Sequence, residues 1–389
     1  MIRREGNVRR VAMVSASFHP HIGGSERQAL EVSRALIRRG VAVTVLTRRL
    51  PGLTSKEDLD GVEVLRLFRA GRGLLGSLTF LGSLFLHLVL QGRRYDAIHV
   101  HMASSPAVAA AWAGALRRLP VFIKVAGGAG VGEVAQSQES WAGRFKSTVL
   151  KQAKVQFLVV SPVQAAEIRL SGLCREPIEL PNGVDLTSFS PGSDEREMGC
   201  LAGPDSCGQR PIFLAVMRLD EDKSQASALE RFFEGWRTAR QGGMEAELWI
   251  AGDGPAKERL CARVRELGLE DSVRWLGWVK DPLPLYRAAD VFVLVSGAEG
   301  LSNAMLEAMA CGLPVCAMRI PGVVERIQPD LHGLLFDPNE PLEAALALSM
   351  LASDSALRWR LGVACRQKVE AEFSIETTAD RLLALYRGG

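Results

Sequence analysis

The chain has 389 residues, of which 47% are hydrophobic and 23% are charged, as in an ordinary soluble globular protein with two domains. Seven cysteines without a Cys-x-x-Cys pair argue against a disulfide framework or a zinc cluster and fit a reducing compartment. The basic N-terminus precedes an apolar run that is too short and too polar for a signal peptide, so we expect a cytoplasmic protein.

Charge is divided unevenly between the two halves of the chain. Residues 1–185 carry 25 Lys and Arg against 14 Asp and Glu, whereas residues 186–389 carry 22 against 30. A basic half suggests an anionic partner. Aromatic residues make up only 6% of the chain and no nucleic-acid motif occurs, so we favour an anionic membrane surface or a phosphate-bearing acceptor over nucleic acid. A basic surface covered only by water is the alternative.

Buried apolar runs alternate with amphipathic stretches from end to end, which predicts an α/β protein with parallel sheets. The predicted strands cover residues 10–16, 41–46, 62–68, 95–101, 121–125, 157–160, 211–216, 247–251, 291–295 and 315–318. The predicted helices include residues 25–39, 74–90, 106–118, 140–152, 226–240 and a last helix ending near 386.

A glycine pair lies between the first predicted strand and the first predicted helix. Gly23 and Gly24 form a turn that brings backbone N–H groups close to an anion, helped by the dipole of the helix that follows. Ser25 and Gln28 have the spacing of a capping box, in which the Ser25 hydroxyl caps the helix and Gln28 reaches back. A strand–glycine–helix turn is only weakly specific for phosphate when taken alone.

Residues 74–90 form the most apolar segment of the chain. A membrane span needs about 20 residues with few polar groups, whereas this segment is shorter and includes Ser77, Ser83 and His87. We therefore predict a buried or interfacial helix and leave two alternatives, packing in the core and peripheral attachment to a membrane. Arginines flank the segment at both ends, namely Arg66, Arg69, Arg72, Arg93 and Arg94.

Two stretches at predicted strand ends hold further candidates for ligand contact. His101 lies nearer the end of its strand than His99 and is a candidate contact, with a structural histidine as the alternative. Residues 127–132 are rich in glycine, and Gly130-x-Gly132-x-x-Ala135 fits a loose dinucleotide fingerprint, but the acid expected about 20 residues later is missing. The sequence therefore argues against a nicotinamide enzyme.

Two acids lie in an otherwise apolar strand–loop–helix unit. Glu299 follows the strand 291–295 at the carboxyl edge of the sheet, where open α/β sheets bind ligands. A helix that begins after the turn at Gly300 places Glu307 two turns further on and on the same side. Two carboxylates that face one crevice can accept hydrogen bonds from several hydroxyls, as sugars and riboses require. Two solvent-facing acids near a helix N-terminus are the alternative.

The pattern Glu299-x7-Glu307 followed by Ala-Met-Ala-Cys-Gly-Leu-Pro-Val resembles the signature of the retaining family 4 glycosyltransferases. The resemblance implies the GT-B fold, in which two Rossmann-like domains face a central cleft. Residues 1–185 would then form the acceptor-side domain and 186–373 the nucleotide-sugar domain, with the helix 374–387 packing back onto the first. In this family the glutamate at 307 holds the ribose hydroxyls and the glutamate at 299 lies against the donor sugar. Gly300, Leu301 and Ser302 belong to the same implied substrate site.

The resemblance also assigns roles to two cations. Arg218 and Lys223 fill the places of the Arg and Lys in the family pattern Gly-Arg-Leu-x3–4-Lys, where they grip the distal phosphate of the donor. Met217 stands where the family has glycine. Cleavage of a sugar–diphosphate bond develops negative charge on the leaving group, and fixed cations stabilise that charge when no metal does so. We therefore predict Glu299, Arg218 and Lys223 as catalytic residues.

Other positions match the family less completely. Gly23 and Gly24 correspond to glycines that approach the diphosphate of the donor or the acceptor. Family members often have a histidine after the strand 121–125 that contacts the sugar. This chain has Ala126 there, so the contact is absent or is made by Lys124. Val279, or Trp278 beside it, is predicted to border the nucleobase.

The resemblance implies a retaining glycosyltransferase that moves a hexose-type sugar from a nucleotide-diphosphate sugar to a glycan or lipid-linked acceptor, in cell-surface or exopolysaccharide biosynthesis. It implies no metal ion and no other cofactor. Asp58 and Asp60 form an Asp-x-Asp, the metal signature of a different glycosyltransferase fold, and we place them in a surface loop. We expect the protein in the cytoplasm, at the inner face of the membrane if it is peripheral. A nucleotide-sugar epimerase or hydrolase and a non-catalytic carbohydrate-binding protein are the alternatives.

Overall fold

A computed structural model describes residues 8–20, 23–125, 141–192, 210–220 and 225–388. The chain divides into two compact units, of which the first combines Met1–Gly183 with Ile375–Gly389 and the second is Val184–Ser374. The strands are β1 (Arg10–Val14), β2 (Ala42–Arg48), β3 (Lys56–Leu59), β4 (Val62–Leu67), β5 (Ala97–His101), β6 (Val121–Lys124), β7 (Val155–Val159), β8 (Ile178–Glu179), β9 (Ile212–Val216), β10 (Glu247–Ala251), β11 (Val273–Gly277), β12 (Val291–Leu294), β13 (Val315–Met318) and β14 (Gly333–Phe336).

Helices connect most of these strands, as right-handed crossovers between parallel strands require. They are α1 (Gly24–Arg38), α2 (Gly73–Gln91), α3 (Ser105–Arg117), α4 (Trp141–Gln152), α5 (Pro162–Leu170), α6 (Gln225–Gln241), α7 (Lys257–Glu266), α8 (Leu283–Ala288), α9 (Asn303–Ala310), α10 (Pro321–Val324), α11 (Pro341–Ser353), α12 (Ser355–Glu372) and α13 (Ile375–Gly388). A short 3-10 helix, Gly92–Arg94, continues α2.

The first unit is built on one sheet with the strand order β3-β4-β2-β1-β5-β6-β7-β8. Neighbouring strands are parallel except for the pair β3 and β4. One apolar cluster joins α2 and α3 to one face of the sheet, and a second joins α1 and α13 to the other face. Leaving out β3, the order from β4 is the doubly wound order, with its switch point between β1 and β5.

The second unit has a sheet with the order β11-β10-β9-β12-β13-β14, and its neighbouring strands are parallel. Numbered from β9, this is the 3-2-1-4-5-6 order of the Rossmann fold, and its switch point lies between β9 and β12. The predicted fold class, two doubly wound α/β domains, is confirmed.

Local details differ from the sequence predictions. Asp58 and Asp60 are both at the surface, as predicted, but only Asp60 lies in a turn. Asp58 belongs to β3 of the β3–β4 hairpin and accepts the Gly61 N–H at 2.9 Å, while Asp60 pairs with Arg34. The Ser25 capping box is also wrong. The helix begins one residue earlier, at Gly24, so that Gly23 is the N-cap and the Glu26 carboxylate accepts its N–H at 3.0 Å. The box was misplaced because Glu26, like Gln28, can reach back from the third helical position to an N-cap N–H.

Helix α2 packs in the core on one side only. Gly76, Phe80, Leu84 and Leu88 are buried, whereas most of the opposite side is exposed. The stretch Gly73–Arg94 is long and apolar enough to cross a membrane by length and composition, and only 22% of its most apolar window is buried. One side of α2 therefore packs in the core, as the first alternative predicted, and the other side is exposed. Attachment of the exposed side to a membrane stays a prediction.

The C-terminal helix α13 completes the first unit. Ile375, Leu382 and Tyr386 belong to the apolar cluster that α1 forms with the sheet. Tyr386 OH and His99 Nδ1 share a buried hydrogen bond of 2.7 Å, while His99 Nε2 is buried without a partner in the described part of the chain. The hydrogen bond to Tyr386 is thus the one that compensates the burial of this imidazole.

Tyr386→Phe is expected to destabilise the protein by about 2 kcal/mol, because both nitrogens of the buried His99 ring are then unsatisfied. Urea denaturation measures the change. Tyr95→Phe is the matched control, since it also removes a Tyr–His hydrogen bond, of 3.0 Å, but from the half-buried His87. Equal losses in the two variants would contradict the role given to Tyr386.

Candidate functional site

The switch point of the second unit gathers the predicted donor residues. Strands β9 and β12 are neighbours in register, so the loops after them meet at the carboxyl edge of the sheet. Arg218 lies two residues beyond β9, and Glu299 lies five residues beyond β12. Helix α9, which carries Glu307, follows the second of these loops. The sheet topology therefore places these three side chains on elements that converge on one edge.

Ser302 sets where α9 begins. Its hydroxyl accepts the Met305 N–H at 3.3 Å, and the helix starts at Asn303, shortly after the turn at Gly300 that was predicted to precede it. Glu299 lies in the loop before the helix, as predicted, and Glu307 lies within the helix. The helix begins after Ser302 because the serine hydroxyl accepts a hydrogen bond from an N–H group of the first turn, which Gly300 cannot do without a side chain. Gly300 and Leu301 are buried in the loop.

Glu307 is held by a hydrogen bond inside the second unit. Its side chain is only 7% exposed, and Tyr286 OH donates to its Oε2 at 2.9 Å. Tyr286, on α8, is itself fully buried and packs edge-on against Phe189 and Phe292. The alternative of a solvent-facing acid is therefore wrong for Glu307. A buried carboxylate with an oriented side chain is preorganised to accept hydrogen bonds from a ligand.

Glu299 is half-buried in the loop after β12. Burial raises the pKa of its carboxyl to about 7, partly offset by a hydrogen bond from Ser296. The backbone of this loop is also tightly packed, because a Cβ added to Gly322 would lie 2.0 Å from the Glu299 carbonyl oxygen. Glycine at this position lets the first turn of α10 approach the loop. The carboxyl of Glu299 therefore changes its charge close to neutral pH.

The backbone around Arg218 is fixed by a glycine turn. Met217 N–H donates to Ala251 O at 3.0 Å, and Leu219 N–H donates to Asp253 O at 3.1 Å. A Cβ added to Gly252 would lie 1.8 Å from the Met217 carbonyl oxygen, so only glycine allows this approach. The guanidinium of Arg218 is largely exposed and pairs with Asp220. Lys223 lies outside the described residues.

Gly252→Ala is expected to destabilise the second unit by about 3 kcal/mol, because the added methyl group would overlap the Met217 backbone. The displaced backbone carries Arg218, so affinity for nucleotide diphosphates should fall as well. Thermal unfolding and calorimetric titration measure the two effects. Gly242→Ala is the control, since the nearest atom to its added Cβ is 3.3 Å away, and it should cost less than about 1 kcal/mol. Similar losses in both variants would contradict the close approach at Gly252.

The predicted residues of the first unit lie at its own switch point. Gly23 and Gly24 follow β1, and His101 ends the neighbouring β5. Because the Gly23 N–H already bonds to Glu26, an incoming anion would have to displace that carboxylate. That these glycines contact the diphosphate of the donor or the acceptor stays a prediction.

His101 and Lys124 are paired across β5 and β6, and both are buried. The His101 ring stacks on that of His99 at 4.7 Å and its Nε2 lies 3.1 Å from the Met13 sulfur. Burial lowers the pKa of His99 to about 3, that of Lys124 to about 8, and that of His101 well below its usual range. His101 is therefore neutral at pH 7 and contacts the interior, as the structural alternative expected. Ala126 lies outside the described residues.

The predicted nucleobase contacts lie further along the sheet of the second unit. Val279 and the exposed Trp278 follow β11, which β10 separates from β9. Gly277 links this loop to the glycine turn, since its carbonyl accepts the Gly252 N–H at 2.7 Å. The base-contacting role of these residues stays a prediction. Within the described residues, no group of three or more His, Cys, Asp or Glu side chains is placed to hold a metal ion.

The architecture and these motifs agree with known protein families. Residues 23–183 match the family described as glycosyl transferase 4-like domain, and residues 210–354 match the family described as glycosyl transferases group 1. The two matches fall on the two units in turn. The chain is a glycosyltransferase of the GT-B fold.

This GT-B glycosyltransferase is similar to a curated relative and to solved structures over nearly its whole length. It is 26% identical to the lipopolysaccharide core biosynthesis glycosyltransferase LpsE of Rhizobium meliloti, over 93% of this chain and 95% of that one. Sucrose-phosphate synthase from Thermosynechococcus elongatus has a similar structure, with a TM-score of 0.76, 23% identity and 98% of both chains covered. HepE from Anabaena, solved with UDP and glucose, superposes with a TM-score of 0.76 and 19% identity, over 98% of this chain and all of that one.

Proposed function

We propose that this glycosyltransferase transfers a hexose-type sugar from a nucleotide-diphosphate sugar to a glycan or lipid-linked acceptor, with retention of the anomeric configuration and without a metal ion. The reaction takes place in the cytoplasm and serves the synthesis of a cell-surface polysaccharide. The name of LpsE, which matches along nearly its whole length, supports that pathway class. The UDP and glucose bound to HepE support the donor class.

The buried and oriented carboxylate of Glu307 carries the proposal. Hydroxyl pairs, such as those of a ribose, donate to carboxylates, and the Tyr286 hydrogen bond fixes the orientation of this one before a ligand arrives. Preorganised groups of this kind bind with little further loss of conformational entropy. The same edge of the sheet carries Glu299, whose pKa is raised to about 7, so that about half of these carboxyl groups are neutral at pH 7.

Arg218 supplies positive charge for the leaving group. Its backbone is fixed by the glycine turn, while its guanidinium is exposed and pairs with Asp220. A diphosphate is a stronger anion than this one carboxylate, so it can replace Asp220 as the partner of the guanidinium. The fixed cation then stabilises the charge that develops when the sugar–phosphate bond breaks.

The test is a calorimetric screen of UDP, GDP and ADP, followed by transfer assays with the sugar conjugate of the nucleotide that binds. Arg218→Ala should weaken diphosphate binding about tenfold, from the loss of one charged hydrogen-bonding partner. Arg274→Ala is the control, because Arg274 is also an exposed arginine that pairs with a carboxylate, that of Glu247. No binding of any of the three nucleotides would overturn the proposal.

Two further results separate this proposal from its alternatives. Transfer should continue in EDTA, and the linkage formed should keep the anomeric configuration of the donor, as NMR of the product shows. Loss of transfer in EDTA with recovery on adding Mn²⁺ would contradict the metal-free mechanism. Release of a free or epimerised sugar at the same rate with and without acceptor would instead identify a hydrolase or epimerase.

A further inference from the structure

The outer side of α2 is apolar along its whole length. Residues spaced four apart are neighbours on the surface of a helix, and the exposed series at positions 74, 78, 82, 86 and 90 consists of leucines with Gly82 at its centre. Surface helices of globular proteins place charged or polar residues at such positions. The exposed fractions in this stripe are 75% for Leu74, 56% for Leu78, 55% for Leu86 and 65% for Leu90.

Neighbouring elements extend this apolar surface. Helix α3 packs beside α2 on the same face of the sheet, and its outer side exposes Trp112 and Leu116. Phe145 on α4 is also exposed and lies edge-on to Trp112, with ring centroids 6.5 Å apart. Exposed apolar side chains on several neighbouring helices are typical of an interaction site on a soluble protein. We call the exposed outer sides of α2, α3 and α4 the α2 face.

Arginines lie at both ends of α2. Arg72 immediately precedes the helix, and Arg93 and Arg94 follow it in the 3-10 turn. All three are exposed, and no ion pair engages them within the described residues. Arg117 ends α3 on the same layer. The α2 face is therefore an apolar strip between two cationic ends, in the half of the chain that has an excess of basic residues.

We propose that the α2 face binds the surface of an anionic lipid bilayer, with α2 lying in the plane of the interface. Leucines, a tryptophan and a phenylalanine would enter the acyl boundary, while the arginines meet lipid phosphates. The helix cannot cross the bilayer without dismantling the first unit, because Phe80, Leu84 and Leu88 on its inner side belong to the core. This inference goes beyond the proposed transfer reaction and does not depend on it.

Vesicle flotation tests the proposal with the full chain and no nucleotide. The protein should float with vesicles of phosphatidylcholine and phosphatidylglycerol and bind much less to phosphatidylcholine alone. Leu78→Ser combined with Leu86→Ser should lower the partition coefficient roughly tenfold or more, because two leucines no longer enter the lipid. Arg93→Gln combined with Arg94→Gln should lower it about tenfold and reduce its sensitivity to salt.

A control pair of leucines that is at least as exposed as Leu78 and Leu86 is available on the second unit. Leu342 and Leu346 on α11 are each 66% exposed, so Leu342→Ser combined with Leu346→Ser changes as much exposed apolar surface on another helix. This pair should float like the wild type, and circular dichroism should show that all variants fold. Absence of flotation with either vesicle, or unchanged flotation of the Leu78 and Leu86 variant, would overturn the proposal. Self-association without lipid that the same variant abolishes would instead assign the face to a second copy of the chain.

Discussion

Glu307→Ala is expected to lower kcat/KM by about a hundredfold, which corresponds to about 2.7 kcal/mol of lost transition-state binding. The carboxylate is buried and oriented, so it can make two charge-assisted hydrogen bonds to a pair of ligand hydroxyls, each worth about 1.5 kcal/mol or more. The substitution also leaves the hydroxyl of Tyr286 buried without its acceptor. The same loss should appear in the Kd of the nucleotide diphosphate, since the contact is made in the ground state as well.

Tyr286→Phe separates the orientation of the Glu307 carboxylate from its contact with the ligand. It keeps the carboxylate of Glu307 and removes only the hydrogen bond of 2.9 Å that orients it, so a smaller loss of about fivefold in nucleotide affinity is expected. Glu270→Ala, at an exposed glutamate of the same unit, is the control and should leave affinity unchanged. Wild-type affinity in Glu307→Ala would remove this residue from the binding site, whereas equal losses in the alanine and phenylalanine variants would show that orientation is the whole effect.

Glu299→Gln is expected to change how stability depends on pH. The folded-state pKa of about 7 lies above the ordinary value of 4.5, so between these values the folded chain holds a proton that the unfolded chain has released. Stability from this group is therefore present at low pH and is lost as pH rises through the folded pKa. The difference amounts to about 3 kcal/mol, and a neutral glutamine does not incur it.

Urea denaturation at about pH 5 and about pH 8 measures this difference. At the lower pH the Glu299→Gln variant should be more stable than the wild type by no more than about 1 kcal/mol, and at the higher pH by up to about 3 kcal/mol. Glu270→Gln provides the control for an exposed glutamate, with the same stability as the wild type at both values. A variant that is less stable than the wild type at the higher pH would contradict a carboxyl group buried in apolar surroundings.

The sequence was sufficient to predict the fold class and the elements that carry Arg218, Glu299 and Glu307. Buried parallel strands give continuous apolar runs, and these are visible in a single sequence. Tyr286 could not be predicted, because it is 21 residues from Glu307 and no local motif links a buried tyrosine to a distant acid. The role of Gly322 was missed for the same reason, since its close approach to Glu299 depends on how the first turn of α10 packs against the loop after β12.

Two local features were not predicted. A serine followed three residues later by a helical N–H can cap a helix, and Ser302 does so, but only the turn at Gly300 was predicted before this helix. In α2, apolar residues occur on every side, so periodicity could not separate the side that packs on the sheet from the side that is exposed. Only the positions of the neighbouring strands and helices decide which leucines are buried.

The chain leaves the first unit at Gly183 and returns to it at Ile375, and the two crossings run side by side, since Val184 and Ser374 form a β-bridge. Proteins are synthesised from the N-terminus, at about 5–20 residues per second, and domains generally fold as units as they emerge. The second unit can therefore fold while the first still lacks α13, and His99 gains its hydrogen bond to Tyr386 only after the whole second unit has been synthesised. The half of the protein that is synthesised first is thus the half that is completed last.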